Sequence, residues 1–560
     1  MSEATVSTQA DGAPRPAGER IGGHVVAETL VALGTEVAFG VPGVHALAIW
    51  EGLRDTPIRA IGTRTELCAG FAADGYARSS GRPGVVLLST GPGALNSLTA
   101  VMEAASAHVP LVLISSQIPT ELLGRGRGYL HELPDQLAAF ATLCKSALRA
   151  PSIESVPGVL QQAFERALQP PSGPVFVEIP VDILTGDAGQ VSRIAVTKPV
   201  VRRPVAPRAH LLVAAELLAK AQSPVIWAGG GVIRSAARHA VRALSELLDA
   251  LVATTYMGKG AIADDHPLAV GSGCDEAAFQ ELLSGADVVL CVGTELGAET
   301  TGQYELSFDG AVIHLDAEPA RIGVTYEALG LVGDARATLA ALIEELTPRL
   351  DVRPGARRAA AVERAEAVRA RIAAGLAEQG RALELGVLST VHDALGADAI
   401  GCFDMTTLGY WAAPHLRIGD GQQFLYPLGS GTLGYGWPAA IGASVGHPDR
   451  HVLGVVGDGG FQYAVAELGT AAQHGVGAKL LIVDDGGYGI LREYQRDAFG
   501  ETTAVELPGK DLVAVAAAYG VPVREATPDD LGEQLAWASA QDGPAVVVLR
   551  ALLAAAAPTR

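Results

Sequence analysis

Short apolar runs of strand length alternate with segments of helical periodicity along most of the chain, and glycine or polar residues separate them. Continuous apolar runs are typical of buried strands, whereas apolar residues at every third or fourth position are typical of helices. In the first third of the chain the pattern predicts helices at 24–33, 46–53, 66–80 and 94–107, and strands at 37–40, 58–63, 84–89, 110–116 and 173–183. Such alternation predicts a doubly wound α/β domain with a parallel sheet.

The same alternation resumes twice, which divides the chain into three similar units. The Arg-, Pro- and Val-rich segment at 186–208 is predicted to be a linker, and the Ala-, Arg- and Glu-rich segment at 350–383 an exposed connecting helix. The second unit opens with a strand that runs into glycines, and further strands are predicted at 249–256, 286–293 and 310–316. After a polar, disordered tail at 1–20, the predicted domains are 21–187, 205–348 (Rossmann-like) and 384–560. The predicted fold class is α/β, with three doubly wound parallel-sheet domains.

Charge and cysteine content narrow the function classes. The formal net charge is −20 over 560 residues, and no run of five basic residues occurs, which argues against nucleic acid and anionic membranes as partners. The longest apolar runs are too short for a membrane-spanning helix. The cysteines form no CxxC pair, which favours reduced thiols in a cytoplasmic protein over disulfides or a zinc site: Cys68, Cys144, Cys274, Cys291 and Cys402.

Two strands of one βαβ unit end in Asp-Gly turns, "VVGDGGFQ" at 455–462 and "LLIVDDGGYG" at 480–489. A single Asp-Gly pair is most often only a turn. Two carboxylates, Asp458 and Asp485, at adjacent strand ends are ligands suited to Mg²⁺ or Ca²⁺. Glycines around Asp458 leave backbone N–H groups free to face a phosphate at a helix start. The pair of turns therefore predicts a cation that bridges a diphosphate.

This pair of turns resembles the thiamine diphosphate motif, although the second turn usually carries Asn-Asn there and carries Asp484-Asp485 here. Three further stretches resemble the pyrimidine-binding, middle and diphosphate-binding domains of acetohydroxyacid synthases and 2-oxo acid decarboxylases. They are "TRTELCAGFAADGYARSSGRPGVVLLSTGPGALNSLTA" at 63–100, "MGKGAIADDHPLAVG" at 257–271 and "GSGTLGYGWPAAIGA" at 429–443. On these motifs the chain is identified as a member of that superfamily, whose cofactors are thiamine diphosphate and Mg²⁺.

The resemblance implies roles for single residues. Asp458, Asp485 and the carbonyl of Gly487 would bind Mg²⁺, and Glu66 would hydrogen-bond the aminopyrimidine ring and so promote loss of the thiazolium C2 proton. By its pattern alone, Glu66 could equally be an acidic residue that the helix dipole favours. The remaining implied cofactor contacts are Gly431, Leu433, Gly457, Gly459, Gly460, Tyr488, Gly489 and Ile490.

Leu491 and Tyr494 are implied to line the substrate, although with Ile490 they also have the spacing of a buried helix face. Leu433 is likewise open to interpretation as an ordinary core leucine. In this family the cofactor lies between the first domain of one subunit and the third domain of another. The resemblance therefore implies a homodimer, or a dimer of dimers, that acts on a small 2-oxo acid.

Three local motifs favour a decarboxylase over a synthase. "RGYLHELPDQ" at 127–136, "VGTELGAETT" at 292–301 and "CFDMTTLGYW" at 402–411 resemble guanidino-2-oxo acid decarboxylases. His131 in the first of these is implied to be a proton donor, with a plain loop histidine as the alternative. Gln117 ends its strand as in the synthases, and the resemblance implies a catalytic role for it. The predicted reaction is non-oxidative decarboxylation of a 2-oxo acid to an aldehyde and CO₂.

The alternative is a carboligase of acetolactate synthase type that joins two 2-oxo acids, with or without FAD. The glycines at 229–231 resemble a dinucleotide loop, which alone is a weak signal. The later flavin-contacting stretch is replaced by "GSGCDEAAFQELL" at 271–283, so FAD is the less favoured cofactor. An oxidoreductase would leave Glu66, Asp458 and Asp485 without a role, and a non-catalytic homologue is disfavoured because Glu66 is present.

Overall fold

A computed structural model describes residues 19–189, 191, 196–350 and 354–559. All but the last two residues of the predicted tail lie outside these ranges, as do parts of the predicted linker. No helix in the described ranges has both the length and the apolar character needed to cross a membrane. All five cysteines are buried free thiols.

The strands form three six-stranded sheets in which every pairing is parallel, which confirms the predicted fold class. The strands of the first sheet are β1 (Val37–Gly40), β2 (Arg59–Gly62), β3 (Gly84–Leu88), β4 (Leu111–Gln117), β5 (Ser146–Arg149) and β6 (Val175–Pro180). Those of the second are β7 (Val225–Ala228), β8 (Leu251–Thr254), β9 (Ala269–Gly271), β10 (Val288–Val292), β11 (Ala311–Asp316) and β12 (Leu329–Val332). Those of the third are β13 (Ile400–Phe403), β14 (Gln423–Leu425), β15 (Val452–Gly457), β16 (Lys479–Asp484), β17 (Val523–Ala526) and β18 (Ala545–Arg550).

Helices cover both faces of each sheet. The first domain contains α1 (Gly22–Leu33), α2 (Leu47–Leu53), α3 (Glu66–Ser80), α4 (Pro92–Leu95), α5 (Leu98–Ser106), α6 (Gln136–Ala141), α7 (Val156–Leu168) and α8 (Val181–Thr185). The second contains α9 (Arg208–Lys220), α10 (Gly230–Arg234), α11 (Arg238–Leu248), α12 (Ala277–Ser284) and α13 (Ala335–Leu346), and α14 (Arg358–Glu378) follows it. The third contains α15 (Ala382–Leu395), α16 (Thr407–His415), α17 (Gly436–Gly446), α18 (Asp458–Phe461), α19 (Glu467–His474), α20 (Gly489–Phe499), α21 (Leu512–Ala518) and α22 (Leu531–Ser539).

The first and third sheets have the same strand order. It runs β2-β1-β3-β4-β6-β5 in the first and β14-β13-β15-β16-β18-β17 in the third. The second sheet, β12-β11-β10-β7-β8-β9, has the order of dinucleotide-binding folds, with its switch point between β7 and β10. Ligands of such sheets bind at the carboxyl ends of the strands, so the three sheets offer three edges for sites.

Equivalent helices of the first and third domains pack against each other at glycines. A Cβ placed on Gly75 of α3 would lie 2.2 Å from the carbonyl oxygen of Ala439, and one on Gly442 of α17 would lie 1.8 Å from that of Ala72. Because no side chain fits at either position, the two helix backbones approach closely. This contact joins the two domains within one chain.

Both faces of the third sheet lie in hydrophobic cores shared with another domain. One core joins strands of the first and third sheets and includes α3 and α17. The other joins the third sheet to the second domain and to one side of α14, through Ala361, Ala365 and Val368. The connecting helix predicted to be exposed therefore has a buried stripe.

Candidate cofactor and active site

The two Asp-Gly turns lie side by side at the carboxyl edge of the third sheet. β15 and β16 are parallel neighbours, with Gly457 opposite Val483, so Asp458 and Asp485 leave adjacent strand ends. Asp458 is 1% exposed. Burial, and after it the nearby charge of Asp458, raises the pKa of Asp485 to about 6. Two acids held together in this way favour a cation between them.

Glycines let the two turns interlock. A Cβ on Gly459 would lie 2.6 Å from the ring of Tyr488 and 3.5 Å from the carbonyl oxygen of Gly487. A Cβ on Gly489 would lie 1.9 Å from a carboxylate oxygen of Asp485. The Gly487 carbonyl therefore lies beside the first turn, where the resemblance expects a third protein ligand.

Asp484, the departure from the usual Asn, is neutralised by basic side chains. It forms an ion pair with Arg550 and lies 3.4 Å from Nζ of Lys510. The same ammonium forms a close ion pair with Oδ2 of Asp458, although without hydrogen-bond geometry. The extra charge of Asp484 is thus compensated locally, and Asp458 and Asp485 remain the pair predicted to bind a metal ion.

Two carboxylates and one carbonyl fit a hard cation that takes its remaining ligands from phosphate oxygens. Within the described ranges no group of three or more His, Cys, Asp and Glu side chains has the geometry of a metal site. The donor set at the two turns fits the Mg²⁺ and thiamine diphosphate that the resemblance implies.

A helix start that sequence reasoning missed faces this site. The hydroxyl of Thr406, which precedes α16, caps no backbone N–H, and a Cβ on Gly457 would lie 2.7 Å from it. The free N–H groups at the start of α16 are therefore directed towards the first Asp-Gly turn, as for a bound phosphate. In the sequence, the signal for this helix start was an apolar strand followed by "MTTLG".

Asp404, also missed, fixes the loop that carries Gly431 and Leu433. It is fully buried and accepts hydrogen bonds from the N–H groups of Met405 and Gly434, the latter at 3.0 and 3.1 Å. Burial raises its pKa to about 6, although these N–H groups oppose the shift. Gly431 is exposed with φ of 68°, and Leu433 is half-buried, so the structure does not place Leu433 in the core.

A buried acid of the first domain tethers the same loop. Glu103 accepts hydrogen bonds from the N–H (2.7 Å) and hydroxyl (2.9 Å) of Ser430. Arg78 of α3 donates to Glu103 at 2.7 Å and pairs with Asp74, which accepts a hydrogen bond from Tyr435. This network fixes the loop that carries Gly431 and Leu433 against the first domain of its own chain.

Glu66 begins α3 at the carboxyl edge of the first sheet. Thr65 caps the helix by accepting a hydrogen bond from the N–H of Cys68, and the half-exposed carboxylate of Glu66 accepts one from Asn96 at 3.2 Å. A Cβ on Gly93 would lie 3.2 Å from Glu66. Among the described residues, no hydrogen bond or ion pair connects Glu66 to the third domain of the same chain. Its carboxylate is partly accessible to solvent.

His131 lies at the same edge of the first sheet. Its backbone is left-handed (φ 68°), its ring centroid is 5.2 Å from that of His45, and its Nδ1 is buried without a hydrogen-bond partner. Burial, and after it the neighbouring His131, lowers the pKa of His45. A Cβ on Gly91 would lie 2.6 Å from the carbonyl oxygen of His131. Both histidines therefore lie near the turn that supports Glu66.

Gln117 has a different environment. It is buried, its amide donates to Glu178 at 3.0 Å, and its side-chain oxygen accepts from the N–H of Ile118 at 2.7 Å. Both ends of the side chain are therefore used inside the first domain. Its predicted catalytic role stays a prediction.

The residues that follow the second Asp-Gly turn face open space. Leu491 is 44% and Tyr494 is 52% exposed, whereas Arg492 of the same helix is buried and pairs with Glu506 at 2.8 Å. The core-face interpretation of this spacing is therefore wrong for Leu491 and Tyr494. Leu491 and Tyr494 form an exposed wall that extends from the second Asp-Gly turn along α20.

The second domain has a cavity at its switch point. About 570 Å³ in volume, it is lined by Gly230, Gly231, Arg234, Gly293 and Asp316, among others. The stretch at 271–283 packs elsewhere, because Ser272 donates to the carbonyl of Ala413 and Glu276 binds Thr559 of the third domain.

Comparisons with known proteins agree with this geometry. Three family models match, described as the N-terminal TPP binding domain, the central domain and the C-terminal TPP binding domain of thiamine pyrophosphate enzymes, over residues 20–139, 211–342 and 401–549. The chain is 38% identical over 537 residues to the probable 2-ketoarginine decarboxylase AruI of Pseudomonas aeruginosa, which covers 94% of this chain and 93% of the relative.

Acetolactate synthases are also similar. A probable large subunit from Methanococcus aeolicus is 30% identical over 548 residues (93% of this chain and 90% of the relative). The isozyme 2 large subunit of Escherichia coli is 30% identical over 523 residues (91% of each). The chain belongs to the thiamine pyrophosphate enzyme family.

Proposed function

We propose that this protein is a thiamine diphosphate- and Mg²⁺-dependent decarboxylase that converts a 2-oxo acid to an aldehyde and CO₂. The observation that carries the proposal is the pair of neighbouring acids, the buried Asp458 and the half-buried Asp485, at the edge of the third sheet of a chain that is 38% identical to a probable 2-ketoarginine decarboxylase. That relative makes 2-ketoarginine the first substrate to test.

Different residues of the site would bind the metal ion, the diphosphate and the thiamine rings. Asp458, Asp485 and the Gly487 carbonyl would hold Mg²⁺, the start of α16 the diphosphate, and Leu433 the thiamine rings. When bound, thiamine diphosphate supplies the electron sink that decarboxylation of a 2-oxo acid requires. Glu66 would hold a proton against the aminopyrimidine ring, and His131 would deliver one to the product carbon.

Glu66 of one subunit and the two Asp-Gly turns of another would form one active site at the interface of a homodimer. The exposure of Glu66 supports this assembly, as do large apolar side chains left exposed near both half-sites. They include Val44, Leu47 and Leu130 in the first domain and Tyr463 and Phe499 in the third. Light scattering of the purified protein would show a dimer or a dimer of dimers. The predicted cytoplasmic location stays a prediction.

A carboligase that binds FAD is the second candidate. The acetolactate synthases among the relatives favour it, and so does the cavity at the switch point of the second domain. The 271–283 stretch, packed against the third domain, gives no support for a flavin site. We therefore rank the carboligase below the decarboxylase.

The deciding experiment supplies the Mg²⁺-loaded holoenzyme with a panel of 2-oxo acids and measures CO₂, aldehyde and acetolactate. We expect a colourless protein that releases equal amounts of CO₂ and aldehyde, and a Glu66→Gln variant that binds the cofactor but is inactive. A yellow protein that makes acetolactate from pyruvate would establish the carboligase instead.

A further inference from the structure

A buried acid of the third domain holds the backbone that leads into Glu66. Glu467 begins α19, shortly after the first Asp-Gly turn in the sequence, and its side chain is 1% exposed. One of its carboxylate oxygens accepts hydrogen bonds from the backbone N–H groups of Arg64 at 2.9 Å and Thr65 at 3.2 Å. Arg64 and Thr65 directly precede Glu66, so Glu467 reaches across the domain boundary to the start of α3 in its own chain.

The carboxylate of Glu467 is stabilised by hydrogen bonds and not by a basic side chain. Its second oxygen accepts a hydrogen bond from the hydroxyl of Thr470 at 2.5 Å, and among the described residues no Lys, Arg or His forms an ion pair with it. Burial raises the pKa of Glu467, and the hydrogen bonds from Thr470, Arg64 and Thr65 oppose that shift. Hydrogen bonds from N–H groups to a carboxylate are about twice as strong as those between neutral groups. The contact therefore resists displacement of the backbone before Glu66.

A second residue of α19 holds the end of β2. The N–H of Gly62, the last residue of β2, donates a hydrogen bond to Nε2 of His474 at 3.2 Å. The guanidinium of Arg59 donates to the carbonyl oxygen of His474 at 2.9 Å. One helix of the third domain thus fixes both the strand and the connection that place Glu66 at the sheet edge.

The first domain makes the reciprocal contact. Glu103 of α5 accepts hydrogen bonds from Ser430, in the loop that carries Gly431 and Leu433. Helices α5 and α19 follow β3 and β15, which have the same place in two sheets of the same strand order. Each of the two domains therefore fixes a loop of the other through a buried glutamate, and both contacts lie within one chain.

We propose that Glu467 is a positioning residue for Glu66 of its own chain, and so serves the active site opposite to the one that its neighbour Asp458 serves. This inference rests on the proposed function, in which Glu66 of one subunit meets the Asp-Gly turns of another. Each third domain then contributes to both sites of the dimer, because it holds the metal and diphosphate in one and orients the glutamate in the other. Glu467 acts through the backbone of Arg64 and Thr65.

Exchange of the thiazolium C2 proton of bound thiamine diphosphate reports on the position of Glu66 without any substrate. The Mg²⁺-loaded holoenzyme is diluted into D₂O and quenched with acid, and the remaining C2 proton is measured by NMR. Glu467→Ala should slow the exchange by about ten- to a hundredfold, since a misplacement on the order of 1 Å costs up to about a hundredfold. Retention of metal and cofactor should stay as in the wild type.

Two further variants separate positioning from a general loss of packing. Glu467→Gln should restore most of the exchange rate, because its amide oxygen can still accept hydrogen bonds from both N–H groups. Gln473→Ala is the matched control on the same helix. Gln473 accepts a hydrogen bond from the side chain of Arg64 at 2.8 Å, but this contact is exposed and does not involve the backbone, so the rate should stay unchanged.

Mixed dimers, purified after co-expression with two affinity tags, show which site Glu467 serves. A Glu467→Ala chain paired with an Asp458→Ala chain should form one intact site, with about half of wild-type activity. Paired with a Glu66→Gln chain it should recover little activity, because Glu66 is displaced in one site and replaced in the other. The thermal midpoint of each variant shows whether it is folded.

The inference is overturned if a folded Glu467→Ala variant exchanges the C2 proton at the wild-type rate. Recovery with Glu66→Gln instead of Asp458→Ala also overturns it, because Glu467 would then support the Asp-Gly turn of its own chain. Recovery with neither partner would leave Glu467 a general structural role and overturns the inference as well. A wild type that forms aldehyde from no 2-oxo acid overturns the proposed function, whereas C2 exchange still tests Glu467.

Discussion

The ammonium group of Lys510 contacts the carboxylate of Asp458, the residue that would bind Mg²⁺. It also lies 3.4 Å from Asp484 and donates a hydrogen bond to the carbonyl of Leu507 at 2.8 Å. A lysine thus supplies positive charge at the position where a divalent cation would lie. The metal must displace or share this contact.

Lys510→Met should therefore raise the affinity for Mg²⁺. Removing a competing charge at contact distance should strengthen binding by about tenfold, on the order of 1.4 kcal/mol. Calorimetric titration of Mg²⁺ in the presence of thiamine diphosphate measures the change. Lys220→Met, which removes an exposed lysine of α9, is the control. Weaker Mg²⁺ binding by Lys510→Met would show that the lysine assists the metal.

The two acids of the second turn should respond differently to mutation. Asp485→Ala removes a proposed metal ligand and should abolish retention of metal and cofactor. Asp484→Asn should retain both, because Asp484 pairs with Arg550 and Lys510. Metal content after gel filtration distinguishes the two variants. Loss of metal from both would contradict the assignment of Asp484 as a charge-compensated neighbour.

Two inactive variants should restore activity when they are combined. Glu66→Gln damages one half-site and Asp458→Ala the other, so a mixed dimer would contain one intact site. Random re-association of equal amounts should recover about a quarter of wild-type activity if each site is built from two chains. Co-expression with two affinity tags allows the mixed dimer to be purified and assayed. No recovery would place both residues in a site within one chain.

His131 should affect product formation more than cofactor binding. Asparagine is the suitable replacement, because it tolerates the left-handed backbone at this position better than alanine. Loss of a positioned proton donor should reduce kcat by about 10²- to 10⁴-fold, while the cofactor dissociation constant stays unchanged. Steady-state kinetics and calorimetry measure the two effects. Unchanged turnover would make His131 an ordinary loop histidine.

Stability should fall as the medium becomes acidic, because of His415. Burial, and after it the charge of Lys259, lowers the pKa of His415 from 6.5 to about 4. Below pH 6.5 the unfolded chain binds a proton that the folded protein does not, so unfolding becomes easier until the pH reaches about 4. Between pH 7 and pH 5 the loss should be about 2 kcal/mol.

Denaturant unfolding of the wild type and of His415→Gln at the two pH values tests this effect. The variant should show a smaller difference, because its side chain does not titrate. His392→Gln, an exposed histidine of α15, should behave as the wild type does. An identical pH dependence in His415→Gln and the wild type would contradict the assignment.

Local pattern predicted the fold well where a strand or helix is long or fully buried. The strand at 37–40 and the helix at 66–80 have the predicted bounds. The helix predicted at 94–107 is two helices, α4 and α5. Short strands were missed; β17, for example, is a polar edge strand whose sequence Val-Arg-Glu-Ala has no apolar run. Such strands exist because a neighbouring strand is available, which local sequence does not encode.

For the candidate site, too, local sequence could predict some residues and not others. Asp458 and Asp485 could be predicted because the strand that places each acid precedes it directly in the sequence. Asp404, Glu103 and Lys510 could not, because each acts on a loop that is near in space and distant along the chain.

The shared cores of the third domain have a consequence for the order of folding. Both faces of its sheet pack into cores completed by earlier parts of the chain. The second domain, in contrast, has a core made of its own residues between 206 and 346, and the first domain has one between 25 and 191. During synthesis the amino-terminal domains can therefore form these cores while the ribosome is still adding the rest. The third domain, made last, would assemble on a surface that is already folded, and expressed alone it would expose both of its apolar faces to water.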